Sequence, residues 1–200
     1  MVILELLEEN ARLDKRKFAE SQPVDYTLTD NTLLCVTPEI SYFLFLNSYF
    51  TSPYVDRPCE GNLTFYSPFK TINRYISLLF IKMHILNIES LCVEPGVLST
   101  FLNISLSTTS TANFINPSHL IHSLSYFLNN LNFKIVKIFP YFFISVNQHL
   151  LLDPVQEEYV NRDYRIFCVT NEDKDILFFE KNGKECSFKE ILSVMEIISK

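Results

Sequence analysis

The spacing of apolar residues alternates along this chain between the two-residue repeat of a strand and the longer repeat of a helix. Residues 98–107 place apolar side chains at nearly every second position, which is the period of a half-buried strand. After Pro117-Ser118, apolar residues recur at the spacing of one helix face. A chain that changes period several times predicts an α+β fold in which helices cover sheets.

The same patterns predict the remaining elements. Helices are expected at residues 3–13, after Ser67-Pro68, and after the capping-box pattern that joins Ser187 to Glu190. Runs rich in β-branched and aromatic residues predict further strands at residues 32–37, 40–46, 134–139, 141–146, 149–152, 164–170 and 175–180. The prolines and scattered polar residues of 51–67 predict a loop.

Length and composition predict one globular domain. The chain has 200 residues, of which 48% are hydrophobic and 20% are charged, values typical of globular proteins. We expect a single domain over residues 1–200, with halves of about 20–96 and 97–200 after the short first helix. Lys82 and His84 interrupt the longest apolar run, so no membrane span is expected and the protein is expected to be soluble and intracellular.

The cysteines predict free thiols in a reducing compartment. There are five of them, an odd number, and no Cys-x-x-Cys spacing occurs. Cys35, Cys92 and Cys168 stand inside apolar runs and are expected to be buried.

The overall charge argues against a free-standing nucleic-acid binder. The formal net charge is −6 and the isoelectric point is near 5.2, whereas such a protein needs a basic face that displaces counterions from phosphate. Any RNA contact is therefore expected to be local or shared with partner chains.

Acidic residues are missing from a long central stretch. No Asp or Glu occurs in the 58 residues between Glu94 and Asp153. A carboxylate is what usually holds a catalytic Mg²⁺ or moves a proton at a phosphate. This stretch therefore supplies no such carboxylate, and no catalytic residue, metal or cofactor is predicted.

Other chemistries find little support in the sequence. The chain has only three glycines, which are far apart, so no phosphate-binding glycine loop is expected. His119 and His122 have the spacing of one helix face and could share a metal, but a solvated surface pair is favoured because a third ligand is missing nearby. A serine of residues 105–118 could act as a nucleophile with His119 as its base, but the acid that would orient the histidine would have to come from elsewhere in the chain. Glu157, Glu158 and Asp163 could do acid–base work, but such a charged run is usually a solvated face.

Two segments resemble the RNase PH-like subunits of the RNA exosome. Residues 88–96, Ile-Glu-Ser-Leu-Cys-Val-Glu-Pro-Gly, are similar to a strand entry of that family, and residues 150–158, Leu-Leu-Leu-Asp-Pro-Val-Gln-Glu-Glu, are similar to a second motif. Residues 6–20 resemble the start of the eukaryotic non-catalytic ring subunits, and residues 30–36 match the first strand loosely. The resemblance covers nearly the whole chain.

The resemblance implies an RNase PH-like fold with two βαβα-type halves whose sheets pack against helices. It also implies a six-membered ring in which other RNase PH-like exosome subunits are the dimer and ring neighbours, and cap proteins lie on one face. RNA passes through that ring to an associated nuclease for processing or degradation, including rRNA processing. The expected location is the nucleus, with the nucleolus, and the cytoplasm.

The resemblance further implies where chemistry and RNA contact would lie. Positions that carry aspartates or a glycine in active relatives fall here on residues without a carboxylate, namely Ser105, Ser110, Ala112, Asn113 and Pro117. A helix over residues 70–86 resembles one that contributes arginines toward RNA. Arg57, Lys70 and Arg74 are the candidate RNA-binding residues on this basis, and a solvated helix face is the alternative interpretation.

The chain also departs from the family, whose members are longer. The hairpin expected around residues 24–30 and the loop expected between residues 132 and 139 are shortened here. Three functions remain open at this point: an inactive ring subunit of the exosome, an active phosphorolytic 3′-to-5′ exoribonuclease that would use Asp153 or Asp163 as its acid, and a protein-interaction module unrelated to RNA.

Overall fold

Strands and helices are mixed along the chain, and the α+β prediction is confirmed. The computed structural model describes residues 2–9, 11–109 and 114–199. These residues form two units, one made of residues 1–23, 113–120 and 138–200 and the other of residues 24–112 and 121–137. A single domain with halves at about 20–96 and 97–200 stays a prediction.

The described residues contain ten strands and five α-helices. The strands are β1 Asp25–Thr29, β2 Thr32–Val36, β3 Ser41–Thr51, β4 Asn62–Tyr66, β5 Cys92–Glu94, β6 Leu98–Thr108, β7 Phe139–Val146, β8 His149–Leu152, β9 Tyr164–Thr170 and β10 Ile176–Gly183. The helices are α1 Val2–Glu8, α2 Lys70–Ile76, α3 Pro117–Asn130, α4 Gln156–Val160 and α5 Phe188–Ser199, with a π-helical segment at Ser77–Lys82 and a 3₁₀ turn at Ile88–Leu91.

The unit of residues 24–112 and 121–137 contains a mixed sheet. Its strand order is β1-β2-β3-β6-β4, and β5 also pairs with β6. All pairs are antiparallel except β4 with β6. The first hairpin pairs in full register, from Asp25 with Val36 to Thr29 with Thr32. Asp30 takes a left-handed φ of 44°, which suits the two-residue turn between these strands.

The two faces of this mixed sheet differ. Leu44 and Tyr42 of β3 are fully buried on one face, and the Tyr42 hydroxyl lies 2.8 Å from Ser123 Oγ of α3. Helix α3 therefore covers that face. On the opposite face, Phe45 is 40% exposed and Tyr66 is 58% exposed.

The unit of residues 1–23, 113–120 and 138–200 contains an antiparallel sheet of order β10-β9-β7-β8. Val194 and Ile198 of α5 belong to the same apolar core as Phe143, Ile166 and Cys168 of this sheet, which places α5 on that face.

The capping box at the start of α5 is confirmed. The Ser187 backbone N–H donates to Glu190 Oε2 at 2.6 Å, and the Glu190 N–H donates to Ser187 Oγ at 3.3 Å. Helix α5 then begins at Phe188, one residue after the cap.

Several element predictions are wrong in their bounds. Strand β4 lies inside the expected loop of 51–67, because Leu63 pairs with Leu102 of β6 and is buried there. The expected strand at 134–139 is reduced to one bridge between Ile135 and Leu86 before β7 begins. Helix α1 ends at Glu8 and not at residue 13. Helix α2 begins at Lys70 and continues as the π-helical segment to Lys82.

All five cysteines are free thiols. Cys35 and Cys168 are buried as expected, whereas Cys92 is half-buried because it lies in the short edge strand β5. No helix in the described part of the chain has the length and apolar character needed to cross a bilayer.

Candidate functional site

A buried polar cluster surrounds Asp153, one of the two acids that an active enzyme could have used. Asp153 directly follows β8, takes a left-handed φ of 48° and is only 5% exposed. Its N–H donates to the Phe142 carbonyl at 2.8 Å. Because the backbone turns here, the side chain meets the residues that begin α3.

Both oxygens of the Asp153 carboxylate are engaged by residues at the start of α3. Ser118 Oγ donates to Oδ1 at 2.6 Å and Asn116 Nδ2 donates to the same oxygen at 3.1 Å. His119 Nε2 lies 3.4 Å from Oδ2. Asn116 also caps the helix, since its Oδ1 accepts the Ser118 N–H at 3.0 Å.

The pKa of Asp153 reflects these contacts. Burial raises it, but the hydrogen bond and charge of His119, with the bonds from Ser118 and Asn116, outweigh burial and hold the pKa below its ordinary value. The ionised Asp153 carboxylate therefore links the end of β8 to the start of α3 through these contacts.

The backbone at Asp153 is held by two arginines. Arg12 Nη2 and Arg16 Nη2 donate to the Asp153 carbonyl at 3.1 and 2.7 Å. Arg12 also donates to the Leu152 carbonyl at 2.8 Å. Its Nε and Nη2 form a two-bond pair with Glu158 at 3.1 and 2.7 Å. The pair is buried, and such bidentate geometry is what makes a desolvated ion pair tolerable.

Two sequence expectations are wrong at this cluster. Glu158 was expected on a solvated face, but it is fully buried, because Arg12 neutralises it and the Val155 N–H also donates to it at 3.1 Å. His119 was expected at the surface, but it is buried beside Asp153. Sequence reasoning also missed Arg12 and Asn116, since their partners lie far along the chain.

His119 and His122 have different surroundings. The exposed His122 has its Nδ1 2.8 Å from the Tyr26 hydroxyl. Among the residues that the structure describes, no group of three His, Cys, Asp or Glu side chains could hold a metal ion.

Asp163, the second candidate acid, lies at a polar cleft of about 640 Å³. Lys184 Nζ donates to its Oδ1 at 2.7 Å and the Asn147 N–H donates to its Oδ2 at 2.9 Å. These two bonds lower the pKa of Asp163. The facing acid, Glu190, accepts the Tyr164 hydroxyl and the Ser187 cap. Asp163 and Glu190 of the cleft are thus both committed to partners within the chain.

The positions where active relatives would carry acids are partly described. Ser105 is exposed on β6, where it pairs with Phe45 on one side and Tyr66 on the other. Pro117 is the first residue of α3. Ser110, Ala112 and Asn113 lie outside the described residues.

The three predicted RNA-binding residues are exposed. Lys70 and Arg74 are one turn apart on α2, so they share a face of that helix. Arg57 lies in the connection before β4, where it is 3.6 Å from Asp56 and 4.0 Å from Glu60. These carboxylates offset part of its charge. RNA binding by these three residues stays a prediction.

Comparison with known proteins finds likeness in structure and none in sequence. No protein-family model and no curated protein matches the chain. A chain of the Archaeoglobus fulgidus exosome with RNA bound to the active site is 15% identical, with a TM-score of 0.79 over 99% of this chain and 92% of that one. An archaeal exosome core chain is 16% identical, with a TM-score of 0.78 over 99% and 91%. Rice (Oryza sativa) Rrp46 is 12% identical, with a TM-score of 0.73 over 93% and 92%.

At these identities the likeness shows the fold alone. The chain has the fold of the exosome core subunits, and the predicted RNase PH-like architecture is confirmed.

Proposed function

We propose that this chain is a catalytically inactive structural subunit of the RNase PH-like ring of an RNA exosome. Its neighbours are other RNase PH-like subunits, cap proteins lie on one face, and RNA passes through the ring to an associated nuclease for processing or degradation. The observation that carries the proposal is the match over 99% of the chain to exosome core structures. On this proposal the protein works in the nucleus, including the nucleolus, and in the cytoplasm.

The state of Asp153 supports inactivity. A carboxylate that holds a metal ion or accepts a proton must present an oxygen to its ligand. Asp153 is 5% exposed, and both of its oxygens face residues of its own chain. Ser105 and Pro117, which match positions of catalytic importance in active relatives, supply no acid in its place.

Affinity purification of the tagged chain tests the assembly. We expect other RNase PH-like chains to co-purify in stable amounts, identified by mass spectrometry. Their absence, with unrelated proteins recovered instead, would favour the protein-interaction module.

Incubation of the purified assembly with phosphate and single-stranded RNA tests inactivity. We expect Asp153→Asn in this chain to leave any phosphate-dependent release of nucleoside diphosphates unchanged, as should Asp163→Asn at the exposed cleft. Loss of that release in Asp153→Asn or Asp163→Asn assemblies that remain intact would identify this chain as an active phosphorolytic exoribonuclease.

A further inference from the structure

Two aromatic rings and one arginine form a stack beside α4 that the proposed function does not use. The Phe114 and Tyr159 rings are nearly parallel, with centroids 4.1 Å apart and an angle of 20°. Arg162 Cζ lies 3.7 Å from the centroid of the same Tyr159 ring. Two groups this close to one ring must occupy opposite faces. The order of the stack is therefore Phe114, Tyr159, Arg162.

The stack is anchored at its inner end. Phe142, which is fully buried in β7, lies 6.2 Å from Phe114 and 6.0 Å from Tyr159, measured between ring centroids. At the other end, Arg162 donates to the Tyr159 carbonyl at 2.6 Å. This bond fixes the guanidinium over the ring. The stack thus ends on a planar cation.

A second cation lies at the same ring. Arg165 Nη1 donates to the Tyr159 hydroxyl at 2.9 Å, so Tyr159 positions both guanidinium groups. Arg162 and Arg165 are both half-buried.

Neither cation has a carboxylate partner among the described residues. Two neighbouring acids are engaged by other cations, since Glu158 pairs with Arg12 and Asp163 pairs with Lys184. In a chain of net charge −6, two adjacent arginines without an ion pair mark a local site for an anion.

We propose that Arg162 and Arg165 form a contact site for single-stranded RNA. A nucleobase stacks on the open face of the Arg162 guanidinium and continues the aromatic stack, while a phosphate oxygen accepts hydrogen bonds from Arg165. Unpaired bases stack on arginine planes as they do on aromatic rings, and arginine suits phosphate because its donors form a planar fork. The choice of RNA among planar anionic ligands rests on the proposed function.

Fluorescence anisotropy with labelled oligouridylate and the full-length chain tests the site. Arg162→Lys keeps the charge and removes the plane, so we expect binding to weaken about fivefold or more with the salt dependence unchanged. Arg165→Gln should weaken binding and lower the slope of log affinity against log salt by about 0.7, because one phosphate contact is lost. Lys189→Gln removes one exposed charge from α5 and should bind as the wild type does.

Two results would overturn the site. One is equal affinity of the wild type and both arginine variants. The other is inorganic polyphosphate competing as well as the RNA while Arg162→Lys has no effect, since the site would then bind anions only. If Arg162→Lys does not fold, crosslinking of 4-thiouridine RNA to the wild type tests the site instead. We expect crosslinks within residues 159–165, and crosslinks found only elsewhere would exclude the site.

The two proposals can fail separately. Recovery of RNase PH-like partners together with unchanged RNA affinity in the variants would remove only this site. Weakened RNA binding in the variants without such partners would remove only the ring assignment.

Discussion

Asp153 contributes to stability through the contacts of its buried carboxylate. Its pKa is lowered in the folded chain, so it contributes stability that is present above its ordinary value of 3.8 and lost as the pH falls through the folded value. We expect Asp153→Asn to lose about 1–3 kcal/mol at neutral pH. The variant should also show a smaller fall in stability between about pH 5 and pH 3 than the wild type, as measured by urea unfolding.

Asp173→Asn is the matched control for this residue. It removes the same charge from an exposed position in the turn before β10, and it should unfold with the pH dependence of the wild type. If the free energy of unfolding had the same pH dependence in Asp153→Asn and the wild type, the ionised Asp153 carboxylate would not be stabilising the fold.

The close approach of three elements depends on Gly61, the residue before β4. A Cβ at this position would lie 2.3 Å from the Thr100 carbonyl oxygen of β6 and 2.4 Å from Leu91 Cβ of the 3₁₀ turn. One of these elements must therefore move in Gly61→Ala. We expect a loss of about 1–3 kcal/mol, typical of an overpacked interior, in the free energy of unfolding from denaturant titration.

Gly96→Ala provides the comparison within the same unit. A Cβ there meets no atom within 4 Å, but the φ of +75° is left-handed, so we expect a smaller loss of about 1 kcal/mol from backbone strain alone. A larger loss for Gly96→Ala than for Gly61→Ala would show that the strands at Gly61 can separate at little cost.

The isolated molecule leaves an aromatic sheet face in contact with water. Phe45, Tyr49 and Tyr66 are 40%, 43% and 58% exposed, and Phe45 and Tyr66 flank Ser105 on neighbouring strands. Contiguous apolar surface of this kind favours association. We expect the isolated chain to dimerise or to be poorly soluble, and Phe45→Ser with Tyr66→Ser to shift it toward monomer in sedimentation velocity.

Val160→Ser is the control for this surface, because Val160 is 70% exposed on α4 and single exposed apolar residues are common on monomers. It should leave the association state unchanged. A wild-type chain that stays monomeric at high concentration would contradict the prediction.

Local patterns were sufficient for most strands and for the starts of α1, α3 and α5. The alternation of residues 98–107 corresponds to β6, and the cap pattern of Ser187 and Glu190 corresponds to the start of α5. Such features depend on side-chain period and on bonds within one turn, which neighbouring residues carry. The two family-like segments were also readable from the chain alone and led to the correct fold.

Long-range contacts decided the rest. Strand β4 forms because it pairs in parallel with β6, which follows α2 in the chain. The sequence of residues 51–67 does not indicate that pairing. Glu158 is buried because it pairs with Arg12, which lies 146 residues earlier in the sequence. The Asp153 cluster and the Tyr159 stack arise in the same way. Burial and ion pairing depend on which distant groups share a small volume, and only the folded chain brings those groups together.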